Sequence, residues 1–194
     1  MLDNVKSKNI IKDIFRNMRN KRKLNIIKYN KTMLSKLNIN KEQFEKYILL
    51  KEFNKKYNTN IEDIDIKQLN LEDKNIGNEG LKILFKIEFK ELKELNLRGN
   101  QISDIDILEN VNFKELKELY LSNNNISDID ILEKVNFKEL IKLDLSNNKI
   151  SDIDILVKVN FKKLKKLYLI KNPINGEEYK SLLIFLKFKM NIEI

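Results

Sequence analysis

One pattern of residues recurs every 24 positions from Leu92 onward in this 194-residue chain. It reads Leu-x-x-Leu-x-Leu-x-x-Asn-x-Ile, and its copies begin at Leu92, Leu116, Leu140 and Leu164. Within each copy, leucines alternate with polar residues, as in a β-strand that buries one face. One copy has too small an apolar face to form a core alone, so the copies must stack on one another.

The stretch between two such motifs repeats as well. Its apolar positions in the first copy are Ile105, Ile107, Leu108, Val111 and Phe113, and they recur in the next two copies. The sequence Ser-Asp-Ile-Asp-Ile in this stretch alternates polar and apolar residues, which predicts a tight or extended segment and not a long helix. A degenerate fifth unit precedes Leu92, with two additional residues before Leu81. Its strand half contains Ile66, Leu69, Leu71 and Ile76.

These motifs resemble those of the leucine-rich-repeat family. The resemblance implies an α/β solenoid, a horseshoe of about five repeats with an N-terminal helical region and a C-terminal helical cap. It also implies that the motif asparagines bond the backbone after each strand and stack as a ladder, since buried amides need partners. These asparagines are Asn100, Asn124, Asn148 and Asn172. A phenylalanine column is expected to form a spine under the convex side; it comprises Phe113, Phe137 and Phe161.

The tail resembles the C-terminal cap of phosphatase-regulator-like and spliceosomal leucine-rich-repeat proteins. In that cap, Asn-Pro and a spacer precede a tyrosine in an amphipathic helix, which here implies a helix over the open end of the last repeat. The residues that carry the resemblance are Asn172, Pro173, Ile174, Tyr179, Leu182, Leu183, Phe185, Leu186, Phe188 and Ile192.

Charge separates the first sixty residues from the rest. Residues 1–60 hold 16 basic and 5 acidic side chains, whereas residues 61–194 hold 22 and 24. We therefore predict a basic helical region (1–60), the repeats (61–174) and the C-terminal cap (175–194). Helical spacing predicts three short helices in the first region. Asn40 and Gln43 resemble a capping box for the third helix, whose inward residues would be Phe44, Tyr47, Ile48 and Phe53.

The basic region has two interpretations. It is either a plain N-terminal cap or an F-box, because residues 9–18, followed by Leu24 and Ile27, are similar to that motif. An F-box would bind a cullin adaptor through residues 7–37. The sequence departs from the motif where Lys6-Ser7 stands in place of Leu-Pro and Asn9 in place of Glu. Basic residues from Arg16 to Lys23 fit a solvated helix surface better than a nucleic-acid site, since no aromatic residues are interleaved with them.

Composition argues against an enzyme. The chain has no Cys and no His, so it lacks thiol nucleophiles, the usual general base and two common metal ligands. The Asp pairs 104/106, 128/130 and 152/154 lack the glycine-rich loop of calcium sites. We predict no catalytic residue, no metal and no cofactor. No run of 18 apolar residues and no secretory signal is found, so we expect a protein of the cytoplasm or nucleus with no membrane partner. We also expect a monomer with no nucleic-acid partner.

The candidate site is the concave face of the strands. Residues that alternate with the buried leucines point outward and are free to contact a partner protein. They are Glu94, Asn96, Arg98, Glu118, Tyr120, Ser122, Lys142, Asp144, Ser146, Lys166, Tyr168 and Ile170. Tyr120 and Tyr168 are the expected anchors.

Three functions remain open. The first is a non-catalytic protein-interaction module, and the second is an F-box-like substrate receptor of a cullin-RING ubiquitin ligase. The third is a bacterial internalin-like adhesin, because internalin-like proteins share the Ile-Ser-Asp-Ile phrases of this chain.

Overall fold

The computed structural model describes residues 41–111 and 113–190. The F-box-like segment, residues 7–37, lies outside the described residues, as do the basic residues from Arg16 to Lys23. The chain divides into two compact units, Met1–Ile64 and Asp65–Ile194. Each unit is built around its own elements.

The first unit contains helix α1, Lys41–Tyr57. Phe44, Tyr47 and Phe53 are buried as predicted, whereas Ile48 is only half-buried. The chain after α1 is held by Asn54. Its Nδ2 donates to the carbonyl oxygen of Ile61 at 2.8 Å, and its Oδ1 accepts from the Ile61 N–H at 3.0 Å. These paired bonds fix the segment that leads out of the unit.

The second unit is built on a sheet of five parallel strands in sequence order. The strands are β1 (Gln68–Asn70), β2 (Glu94–Asn96), β3 (Glu118–Tyr120), β4 (Lys142–Asp144) and β5 (Lys166–Tyr168). Leu95 pairs with Leu119, and Leu143 pairs with Leu167. The degenerate first unit is confirmed, because Leu69 of β1 pairs with Leu95. Equivalent residues of successive motifs therefore pair with each other on neighbouring strands.

The return segments differ between the first repeat and the others. The first repeat returns through helix α2, Gly77–Ile87, which begins where the two additional residues occur. The later repeats return through short 3-10 turns at Asp106–Asn110, Asp130–Glu133 and Asp154–Val157. The prediction that these segments form no long helix is confirmed.

The core of the second unit is a stack of leucine and isoleucine side chains with a column of phenylalanines beside it. Phe113, Phe137 and Phe161 are buried as predicted, and Phe89 extends the column into the first repeat. The rings of Phe137 and Phe161 stack with their centroids 6.3 Å apart. Side chains of this size each stabilise the fold by about 1.5–3 kcal/mol when fully buried.

The predicted asparagine ladder is present and has a direction. Asn124 donates to the carbonyl oxygen of Leu121 in its own repeat at 2.9 Å and to that of Leu97 in the preceding repeat at 3.0 Å. Asn148 repeats this arrangement one unit later, bonding Leu145 and Leu121. Each asparagine thus ties its own turn to the repeat before it.

At one equivalent position after every strand, the backbone is left-handed. The φ angle lies between 54° and 67° at all five of these residues, a range that favours glycine and asparagine. They are Asp73, Gly99, Asn123, Asn147 and Lys171. Gly99 is further constrained, because a Cβ at this position would lie 1.8 Å from Asp73 Oδ1. Lys171 has neither the freedom of glycine nor the short polar side chain of asparagine.

Helix α3, Gly176–Met190, ends the described chain and packs against the last 3-10 turn. Asn175 caps it by accepting the Glu177 N–H at 3.3 Å. Leu182 and Leu186 are buried, as a cap requires. The pattern of apolar residues is only partly explained by this packing, because Phe185 and Phe188 are exposed.

Candidate functional site

The outward residues of the strands form aligned columns, which we call the strand face. Its first column contains Gln68, Glu94, Glu118, Lys142 and Lys166. Its second column contains Asn70, Asn96, Tyr120, Asp144 and Tyr168. Its third column, just past the strand ends, contains Glu72, Arg98, Ser122, Ser146 and Ile170. The leucines between the first two columns are buried, so the assignment of inward and outward positions agrees with the structure.

Two tyrosines and a lysine meet on strands β3 to β5 of the strand face. Lys142 Nζ lies 4.6 Å from the ring centroid of Tyr120 and 5.6 Å from that of Tyr168. The same Nζ donates to the Tyr120 hydroxyl at 3.2 Å, and that hydroxyl donates to Glu118 Oε2. Because ammonium groups are attracted to aromatic faces, the lysine holds both rings in place. We call these four residues the tyrosine–lysine cluster.

The cluster shifts the proton equilibria of its members. Burial raises the pKa of the Tyr120 hydroxyl, and the hydrogen bond to Glu118 raises it further. The hydrogen bond to Tyr120 also raises the pKa of Lys142. At neutral pH the cluster therefore presents a neutral phenol beside a charged ammonium.

The end of the strand face nearest β1 is acidic and internally bonded. Gln68 Nε2 donates to Glu94 at 2.9 Å, and Asn96 Nδ2 donates to Glu72 at 3.2 Å. Arg98 lies 3.5 Å from Glu72 in a half-exposed ion pair. Such exposed pairs contribute little to stability, about 0–1 kcal/mol, so these side chains are available to contact a partner.

The third column is less uniform than the sequence suggests. Ser122 is only 7% exposed, and Ser146 is half-buried. Ile170, in contrast, is 60% exposed. Ser122 therefore offers a partner little surface, and Ile170 offers much.

Sequence reasoning missed the central place of Lys142. It placed this residue and both tyrosines on the concave face, without relating them. The signal was present, because the 24-residue offset puts Lys142 on the strand between those of Tyr120 and Tyr168. Residues on neighbouring strands in adjacent positions lie within reach of a long side chain.

The structure gives the aspartate pairs a structural role. Asp104 Oδ1 accepts the Asp106 N–H at 2.9 Å, and the same bond recurs from Asp128 to Asp130 and from Asp152 to Asp154. The first aspartate of each pair therefore forms an Asx turn that accepts the first backbone N–H of the 3-10 turn. Within residues 41–111 and 113–190, no group of three or more acidic residues is arranged to hold a metal ion.

Comparison with known proteins identifies the repeat. Two copies of the family model "Leucine Rich repeats" match residues 90–134 and 138–178. These ranges contain β2 to β5 and the whole asparagine ladder. This chain contains leucine-rich repeats. Leucine-rich-repeat proteins typically bind other proteins on the extended surface of the solenoid and are generally interaction modules rather than enzymes.

Three solved structures similar to this leucine-rich-repeat protein come from two bacteria. An internalin from Listeria monocytogenes is 28% identical over 52% of this chain and 27% of its own, with a TM-score of 0.41. Internalin C2 from the same species is 20% identical over 66% of this chain and 75% of its own, with a TM-score of 0.41.

A leucine-rich-repeat protein of Leptospira interrogans is 28% identical over 58% of this chain and 33% of its own, with a TM-score of 0.41. This chain thus matches a third or less of the first internalin and of the Leptospira protein. A search of curated proteins returns no match. Among the described residues of this leucine-rich-repeat protein, no helix is long and apolar enough to cross a membrane.

Proposed function

We propose that this chain is a non-catalytic interaction module that binds a partner protein on its strand face, with the tyrosine–lysine cluster as the central contact. The observation that carries the proposal is the position of Lys142 Nζ against the rings of both Tyr120 and Tyr168. These side chains lie on three neighbouring strands and are not needed to fill the core.

The cluster has the properties of a binding hot spot. Tyrosine offers a large contact area, and hot spots are enriched in tyrosine. Lys142 also restrains the two rings before a partner arrives. A restrained side chain loses less conformational freedom on binding, which favours affinity.

Charge along the first column restricts the partner. Glu94 and Glu118 lie on β2 and β3, and Lys142 and Lys166 lie on β4 and β5. Adjacent strands are about 4.8 Å apart, so the two pairs are separated by about 10 Å. A partner surface with basic and acidic groups at that separation fits this column.

The proposal is tested by replacing both tyrosines with alanine. Wild-type chain and the Tyr120→Ala/Tyr168→Ala variant are immobilised, and the proteins that each captures from the source cell's extract are quantified. We expect the proteins bound by the wild type to be lost from the variant, because loss of an interface anchor costs about 2 kcal/mol or more, roughly thirtyfold in affinity.

Two controls make the comparison specific. Gln68→Ala/Asn70→Ala removes two strand-face side chains from the edge strand β1, and it should leave capture unchanged. Phe137→Ala removes a buried spine residue and should unfold the array through a cavity cost of about 3–5 kcal/mol. A tyrosine variant that is folded and captures the wild-type set of proteins would show that the strand face is not the binding surface.

A further inference from the structure

Exposed apolar side chains are concentrated at one end of the described structure. Over residues 41–111 and 113–190, the large apolar residues that are exposed are Ile170, Ile184, Phe185 and Phe188. Ile184 and Phe188 are 71% and 95% exposed, and they lie one turn apart on the outer face of α3. The inner face of α3 is already occupied, because Leu182 and Leu186 are buried. The outer face of α3 is therefore a second apolar surface, separate from the cap contact.

Lysines border this outer face. Lys180 is exposed one turn before Ile184, and Lys187 is exposed next to Phe188. Lys180 lies 3.7 Å from Glu177, but both side chains are largely exposed, so the pair is weak. The outer face of α3 thus combines large apolar side chains with cations.

The charge of the repeats increases toward the same end. Residues 65–133 contain 9 basic and 15 acidic side chains, whereas residues 134–190 contain 13 and 6. In the last repeat, four of the five residues 162–166 are exposed lysines, where the second and third repeats alternate Lys and Glu. The second unit therefore has an acidic end and a basic end, and an anionic surface attracts the basic end, which contains α3.

We propose that the outer face of α3 docks on an anionic lipid surface. Phe188 and Ile184 enter the boundary between headgroups and acyl chains, and Lys180 and Lys187 contact the anionic headgroups. This is the arrangement by which amphipathic helices lie in a membrane interface.

The lysines and apolar residues of α3 together favour an anionic lipid surface over a second copy of the chain or a nucleic acid. A second copy of α3 would bury the apolar residues but would bring the lysines of the two helices together, which is unfavourable. A nucleic acid would satisfy the lysines but gives Ile184 and Phe188 no apolar partner. An anionic lipid surface satisfies both sets of side chains.

Peripheral docking needs no spanning segment. The sequence led us to expect no membrane partner because nothing in it is long enough to cross a bilayer, and that reasoning does not apply to a helix that lies in the interface. The strand face is not used, so this proposal and the proposed protein-binding function are independent.

Vesicle sedimentation tests the proposal directly with the full chain. Vesicles of phosphatidylcholine alone are compared with vesicles that also contain phosphatidylserine. We expect the chain to sediment with the anionic vesicles and not with the neutral ones, and raising the salt concentration should weaken binding.

Matched variants locate the contact. Ile184→Ser/Phe188→Ser should lower the vesicle partition coefficient about a hundredfold, since each buried apolar side chain contributes about tenfold or more. Ile170→Ser removes an exposed isoleucine from the strand face and should leave the vesicle partition coefficient unchanged. These side chains are exposed, so none of the substitutions should affect folding.

A second pair of variants separates local charge from net charge. Lys180→Gln/Lys187→Gln should weaken binding about fivefold for each lysine. Lys82→Gln/Lys86→Gln removes the same charge from α2 in the first repeat and should have a much smaller effect. Equal effects of the two pairs would overturn the orientation that we propose.

Two further results would overturn the proposal. If Ile184→Ser/Phe188→Ser binds anionic vesicles as well as the wild type, another part of the chain carries the binding. If sedimentation equilibrium shows that the wild type is a dimer and this variant a monomer, the outer face of α3 is an interface between copies of the chain.

Discussion

The side chain of Asn124 should be among the most costly to remove from the second unit. Its Oδ1 accepts the backbone N–H of Asn100 at 3.0 Å and that of Ile102 at 2.9 Å. In Asn124→Ala, both N–H groups lose this acceptor in a buried place, where an unpaired donor costs about 1–3 kcal/mol. We therefore expect the free energy of unfolding to fall by about 2–6 kcal/mol.

The last asparagine of the ladder supplies the comparison. Asn172 is half-buried, and its Oδ1 accepts one N–H, that of Ile150, at 3.0 Å. Asn172→Ala should therefore lower the free energy of unfolding by about 1–3 kcal/mol, less than Asn124→Ala. The two substitutions remove the same atoms, so side-chain chemistry does not explain a difference between them.

Urea unfolding followed by circular dichroism measures both variants. The slope against urea must stay unchanged for the midpoints to be compared as stabilities. If Asn124→Ala stays within about 0.5 kcal/mol of the wild type, the range of a neutral surface substitution, the bonds of the ladder do not stabilise the fold. If Asn172→Ala is the more damaging variant, the ranking by number of orphaned donors is wrong.

Three other predictions use the same unfolding measurement. Lys171→Asn should raise the free energy of unfolding by about 1 kcal/mol, because φ is 59° at this residue and asparagine tolerates that conformation; an unchanged midpoint would contradict this. The pKa values of Tyr120 and Lys142 are both raised, so the folded state keeps protons that the unfolded chain releases above about pH 10. The free energy of unfolding should fall as pH rises through that range. The fall should be less steep for Tyr120→Phe than for the wild type. Truncation after Pro173 removes Leu182 and Leu186 and should cost about 3–6 kcal/mol or cause aggregation, whereas a stable, cooperative truncation would show that α3 is not a cap.

The strands could be predicted from the sequence because the repeat period determines which residues of neighbouring strands pair. Once Leu95, Leu119 and Leu143 were recognised as equivalent, a shift of one residue would have placed every leucine on the outer side. The ladder followed for the same reason, since an amide at each turn has partners only in the neighbouring repeats.

The structures of the tail and of the first repeat were harder to predict, because their residues have no equivalents in the other repeats. The apolar residues of α3 occupy both of its faces, so spacing alone does not decide that Leu186 lies inward and Phe188 outward. Similarly, the two residues added after Ile76 signalled a longer segment but not that it forms an α-helix. The contact of Lys142 with two tyrosines depends on side-chain rotamers, which no period specifies.

The direction of the asparagine ladder has a consequence for how the chain folds as it is made. Asn100 accepts N–H groups from Lys74 and Ile76, and Asn148 accepts one from Ile126, so each turn is completed by the repeat that follows it. On the ribosome, a newly emerged strand would wait for roughly one more repeat of synthesis before its turn closes. Ordered structure should therefore trail the exit tunnel by one repeat, and the last bonds of the ladder should form only when Asn172 emerges.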